Sequence, residues 1–338
     1  MNPNWRSFLE AAEGNFDSAS SDLLNFGDAA GELQAATKQT IITPLTHLGL
    51  IEVSGDDAKT YLHSQLTSDI NHLAEGKAQH SGWCTAKGRL QASFLAWRKG
   101  DSYQLALAAD LQEATQKRLQ MFVLRAKVKL TALTDSTVLL GVAGPQAAEA
   151  LADAGLPCPA EAMTTAQEAG NTVIRLDASR FVIVAPQDAM ASLWQTLTVK
   201  ARPVGVPVWR WLDVEAAYPL VTLATKEEFV PQMADFEKIG GVSFQKGCYP
   251  GQEIVARTQY LGKVKRHLFR LRSAHALKAG DPLFSPDNPD QPCGTVMTVA
   301  PAPSGGFAAL AVVQSNFADN VHLESREGPQ VEAVAVNP

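Results

Sequence analysis

Lys246-Gly247-Cys248-Tyr249-Pro250-Gly251-Gln252-Glu253 gathers an ammonium, a thiol, a phenol, a carboxamide and a carboxylate between two glycines and a proline. No ordinary turn needs that density of reactive groups. Ile254-Val255-Ala256-Arg257 and then Gly262-Lys263 follow, so the spacing predicts a short helix that leaves the loop and stops at a glycine. A thiol becomes a useful nucleophile beside positive charge or at a helix N-terminus, and Lys246 and the helix after Gly251 supply one each. A small buried cysteine is the plainer reading of Cys248. Gln252 and Glu253 can bind polar edges of a ligand or simply cap the helix.

The chain around this loop is 338 residues long, 46% hydrophobic and 19% charged, with room for two or three cored domains. A net charge of -6 argues against nucleic-acid binding by the whole surface. Lys263, Lys265, Arg266, Arg270 and Arg272 form one local basic segment, read as the solvent face of a strand or, alternatively, as an RNA contact. No window is apolar for the ~18 residues that span a bilayer. Acidic Glu10, Glu13, Asp17 and Asp22 stand where a signal peptide needs a basic start and an apolar run, so a cytoplasmic location is expected. Cys84, Cys158, Cys248 and Cys293 are then reduced thiols, and with no Cys-x-x-Cys pair they predict no metal or cluster site.

In chain order, residues 1 to about 40 open on an amphipathic Trp5, Phe8, Leu9, Ala12 pattern and continue in a Ser/Asp/Gly/Ala-rich passage that reads as a loosely held end. Pro44 to Gly55 reads as a strand ending in a turn. A helix with Ala58, Tyr61, Leu62, Leu66 and Ile70 on one face follows, with Asp56 or Asp57 as its cap. Ser81 to Ala96 is a hairpin with Lys87 and Arg89 at its tip. Short strands and helices then alternate in an antiparallel α+β manner to about residue 200. Gly141 and Gly144 fit neither common phosphate-loop pattern and read as strand-to-helix packing. Trp209-Arg210-Trp211-Leu212-Asp213-Val214-Glu215 crowds aromatics and carboxylates together, and Trp209 with Glu215 can stack on and hydrogen-bond a flat heteroaromatic ligand. From about residue 263, alternation and turns predict a small antiparallel β domain. The seven histidines show no chelating pair, and none is beside Cys248 in the sequence.

Gly240 to Arg257, with the central loop inside it, closely resembles the signature of the folate-binding YgfZ family, distant relatives of the glycine-cleavage T-protein (aminomethyltransferase). Gln65-Leu66-Thr67-Ser68-Asp69, Cys84-Thr85-Ala86-Lys87-Gly88, Leu140 to Gly144 and Val214-Glu215-Ala216 match the same family, so the resemblance covers residues 41 to 325. It implies a T-protein-like fold of mixed antiparallel sheets with helices plus the C-terminal barrel. The folate-binding region is expected at 1–262, with 45–132 as one lobe and 1–44 with 133–262 as the other, and the barrel at 263–338. It further implies tetrahydrofolate or a one-carbon derivative as ligand and a role in maintaining or assembling iron-sulfur enzymes, including tRNA-modifying ones. Of two tryptophans tied to folate in the family, one falls at Trp209 and the other at Leu48. Glu215 matches a glutamate that touches folate in the T-protein relatives, whereas their catalytic aspartate falls at Ala92 or Ser93.

Residues and resemblance together nominate Cys248 and Lys246 as catalytic groups and Trp209, Glu215, Tyr249, Gln252, Glu253 and Arg257 as cofactor-binding groups, with no metal. The expected partners are folate and iron-sulfur client enzymes, without membrane or direct nucleic-acid contact, for a monomer. A folate-dependent aminomethyl or methyl transferase and an RNA-binding module stay open as alternatives.

Overall fold

Ile41–Pro44 and Thr137–Ala143 are buried along almost their whole length, the mark of strands covered on both faces. In a computed structural model, which describes residues 1–262 and 264–336, they are neighbours in a six-stranded sheet. Its order is Thr164–Glu168, Asn171–Arg175, Arg180–Pro186, Thr137–Ala143, Ile41–Pro44, Arg202–Pro203, antiparallel except for the last pair. A five-stranded sheet runs Ala78–Cys84, Leu90–Lys99, Ser102–Ala108, Leu48–Ser54, Lys129–Ala132. Arg266–Ser273, Phe307–Gln314, Gly294–Pro301, Pro282–Phe284, Val321–Leu323 and Gln330–Ala335 close into a barrel, which removes every free sheet edge. The fold is therefore α+β with mixed, mainly antiparallel sheets and a C-terminal β barrel, as the sequence predicts.

The chain forms two compact units, one of residues 1–58, 72–79 and 95–209, the other of 59–71, 80–94 and 210–338. The core of the first unit packs Ile42, Leu140, Val142, Phe181 and Ile183 from its six-stranded sheet with Leu151, Leu193 and Trp194. Here the reading of the N-terminus needs correction. Pro3–Ala11 is a helix capped by the Asn2 side chain, and it sends buried Trp5 and Leu9 into that core, where Trp5 meets Trp194 edge to face at 6.0 Å. Burying two large apolar side chains offsets the cost of ordering a polar segment, which composition alone does not show. The Asp57 carboxylate accepts the Lys127 N–H at 2.7 Å. The barrel of the second unit has its own core, with Leu271, Leu283, Val296, Ala311 and Val321 pointing inward.

Candidate functional site

The predicted helix after the central loop runs Gln252–Tyr260, and the N–H groups of Leu261 and Gly262 close it on the Arg257 carbonyl. Its N-cap, Gly251, has φ +81°, and a Cβ there would lie 2.3 Å from the Thr85 carbonyl oxygen and 2.7 Å from Gly88. Only glycine meets both demands. The loop is thus pressed onto the 85–88 turn, bringing together two motifs that are separate in sequence. Glu253 is exposed in the first helical turn, where the helix dipole favours a carboxylate, and Arg257 is exposed near the other end. The Gln252 carboxamide turns back to donate to the Lys246 carbonyl at 3.3 Å.

Lys246 is buried, and its ammonium donates to the carbonyls of His63 and Leu66 at the end of helix Ala58–Gln65. Such terminal carbonyls have no partner inside their own helix, so the lysine acts as a cap contributed from about 180 residues away. Burial lowers its pKa to about 8, while the Asp69 carboxylate pulls the other way. Tyr249, also buried, places its ring 5.0 Å from the ammonium, and burial pushes its hydroxyl well above the usual phenol range. Cys248 is exposed between them. A histidine stands near the residue before it. A Cβ on Gly247 would lie 3.8 Å from His63 Nε2, and His63 Nδ1 stands 3.3 Å from Asp69 Oδ1.

Thr67 ties the same segments together. Its hydroxyl donates to the Gly241 carbonyl at 2.5 Å and accepts the Gly82 N–H at 2.8 Å, and its own carbonyl accepts the Ser243 N–H at 2.9 Å. Thr67→Val leaves two buried backbone groups without partners and should cost about 2–3 kcal/mol in urea unfolding, whereas Thr67→Ser, which keeps the hydroxyl, should cost about 1. Equal losses for the two would show that the hydroxyl does not matter. The sequence displays this polar cluster at a helix end but not what it binds.

Trp209 and Glu215 share helix Val206–Glu215 and meet different neighbours. Trp209 is buried in the first unit, so close over Gly141 that a Cβ there would lie 2.4 Å from its ring, with the Arg180 guanidinium 5.9 Å from the ring centre. In the second unit the Glu215 carboxylate faces Arg270 at 3.7 Å and Arg272 at 3.5 Å, and Arg270 also donates to the Glu215 carbonyl at 2.7 Å. Those two arginines of the basic segment therefore face a carboxylate, while Lys263 lies outside the described residues. Glu215 Oε1, the oxygen that faces Arg272, is buried and makes no hydrogen bond among the described residues. Two further buried atoms with no hydrogen bond among the described residues, the Trp97 indole Nε1 and Gln104 Oε1, belong to directly opposite residues of adjacent strands and so share one sheet face. Sequence reading missed both residues, because each alternates like any core position. Ala92 is buried and the Ser93 hydroxyl accepts the Val221 N–H at 2.9 Å.

Residues 16–240 match the family model of the GCVT N-terminal domain. The tRNA-modifying protein YgfZ of Escherichia coli K12 is 33% identical over 234 residues, which is 69% of this chain and 71% of that protein. The protein of the same name from Escherichia fergusonii matches to the same extent, 33% over 234 residues. The glycine cleavage system aminomethyltransferase T of Bartonella henselae superposes with a TM-score of 0.83 at 21% identity, over 100% of this chain and 97% of that one. Among the described residues no helix is long and apolar enough to cross a membrane.

Proposed function

The chain belongs to the YgfZ family, built on the GCVT N-terminal domain, and from that membership we propose that it binds tetrahydrofolate or a one-carbon derivative and serves iron-sulfur enzymes, tRNA-modifying ones among them, as an assembly or repair accessory. The observation that carries the folate part is Glu215. Its carboxylate is held by two arginines, and the buried Oε1, 3.5 Å from the Arg272 guanidinium, makes no hydrogen bond among the described residues. A buried acceptor without a hydrogen bond is costly, and the ring N–H groups of a pterin are donors that could supply one. Bound folate would supply a one-carbon carrier. The residues of this chain would orient it, and Lys246 would hold the loop that presents Cys248. An aminomethyl transferase reading rests on the shared fold and lacks the carboxylate, since Ala92 and Ser93 stand in its place.

Titration of the purified chain with tetrahydrofolate should give saturable binding by calorimetry. Glu215→Gln, which removes a charge-assisted bond, should weaken it about tenfold or more. No binding at several hundred micromolar ligand would sink the folate part. The accessory part predicts restored activity of an iron-sulfur tRNA-modifying enzyme when this chain is expressed in a strain lacking its own YgfZ, and no restoration would remove it.

A further inference from the structure

The end of helix Ala109–Met121 in the first unit turns its apolar residues two ways. Leu119 and Val123 are buried, whereas Met121, Phe122 and Leu124 are 74%, 45% and 88% exposed. The turn that carries them is ordered, with the Val123 N–H on the Gln120 carbonyl at 3.2 Å and the Ala126 N–H on the Val123 carbonyl at 2.9 Å. Leu124 is held at φ +48°, in the left-handed region that glycine or asparagine occupies at less cost. At 88% exposure it packs on almost nothing in its own chain, so neither its exposure nor its backbone strain is offset there. Cations flank the same tip. Residues 117–129 hold Lys117, Arg118, Arg125, Lys127 and Lys129, all exposed, and no carboxylate. Glu113 pairs with Lys117, and Asp56 pairs with Lys127, whose backbone N–H Asp57 accepts. Arg118, Arg125 and Lys129 have no ion pair among the described residues, so the tip stays positive on a chain whose net charge is -6.

We propose that this tip is a docking surface for an anionic lipid bilayer, with Met121, Phe122 and Leu124 entering the headgroup layer while Arg118, Arg125 and Lys129 meet the lipid phosphates. Charge complementarity calls for an anionic partner, and the projecting apolar side chains decide which one. A bilayer receives them without a matching pocket, because its chains rearrange around them, and its phosphates lie at the level where the flanking cations stay hydrated. A nucleic acid also offers phosphates, but it takes side chains by stacking, which the phenylalanine can do and the methionine and leucine cannot. A folded protein would need a rigid, acid-rimmed socket shaped to three side chains on an ordered turn, a demand that a bilayer does not make. Attachment of this kind is peripheral and reversible. It goes beyond the expectation of no membrane contact, which rests on the lack of a spanning segment, as none of the described helices is long and apolar enough to be one.

The test is co-sedimentation of the full chain with vesicles. At low salt it should bind vesicles of equal parts phosphatidylglycerol and phosphatidylcholine, stay in solution with phosphatidylcholine alone, and lose affinity as salt is raised. Met121→Ser with Leu124→Ser, and separately Arg118→Gln with Arg125→Gln, should each weaken binding about tenfold or more. All four side chains are exposed, so these chains fold. Leu124→Gly tells docking from a structural role, because glycine accepts the positive φ: vesicle binding should weaken with no fall in Tm. No binding to the anionic vesicles overturns the proposal, and retention on heparin in that case would make a soluble polyanion the occupant. Binding that survives Met121→Ser with Leu124→Ser overturns it as well, since charge alone would then account for the contact. The proposal does not rest on the folate reading, and no folate is present in these measurements.

Discussion

Trp209→Ala lowers the unfolding free energy by about 3–5 kcal/mol in urea, with no folate in the cuvette. The ring is buried and lies flush on Gly141, so truncation leaves a cavity bounded by a strand that cannot move inward to fill it. Total stabilities of domains are about 5–15 kcal/mol, so the variant stands near the unfolding threshold. A loss under about 1 kcal/mol would mean that the ring is not packed as described and is available to a ligand instead.

Lys246→Met separates the cap from the charge. The native lysine has its pKa lowered from 10.5 to about 8 by burial, so the charged form is held in the folded chain at a cost. Below about pH 8 both folded and unfolded chains carry the proton and that penalty is fully present. Between about pH 8 and 10.5 the unfolded chain binds more protons than the folded one, so stability rises with pH. The stability of the wild-type chain relative to Lys246→Met should therefore increase by about 2–3 kcal/mol from about pH 7 to pH 10. Taking the difference removes the opposite alkaline trend of the buried tyrosines Tyr61 and Tyr249, whose hydroxyls lose stability as they ionise. A pH-independent difference would show that the two carbonyls, rather than burial, set the ionisation of Lys246.

Much of the site was legible because its chemistry is local. The loop from Lys246 to Glu253 is unusual in composition wherever it folds, and Gly251 and Gly88 mark positions of positive φ and close approach that no other residue tolerates. Alternation likewise foretold the barrel strands from Arg266 on. Trp209 was visible as a crowded aromatic, but whether an aromatic stacks on a ligand or on a glycine depends on which strand lies under it, and Gly141 is 68 positions earlier by their numbers.

By itself, then, the sequence determined the α+β class, the run of C-terminal strands, the family loop and the glycines that shape it, since these follow from residue type and short-range periodicity. Only the tertiary structure decided what the loop touches. Lys246 finds its acceptors 183 and 180 residues away, Thr67 meets Gly241 across 174, and His63 with Asp69 arrives near Gly247 by the same packing. Periodicity reports which face of an element is buried but not against which partner, and at this site the partner sets the charge and the proton acceptor of each group.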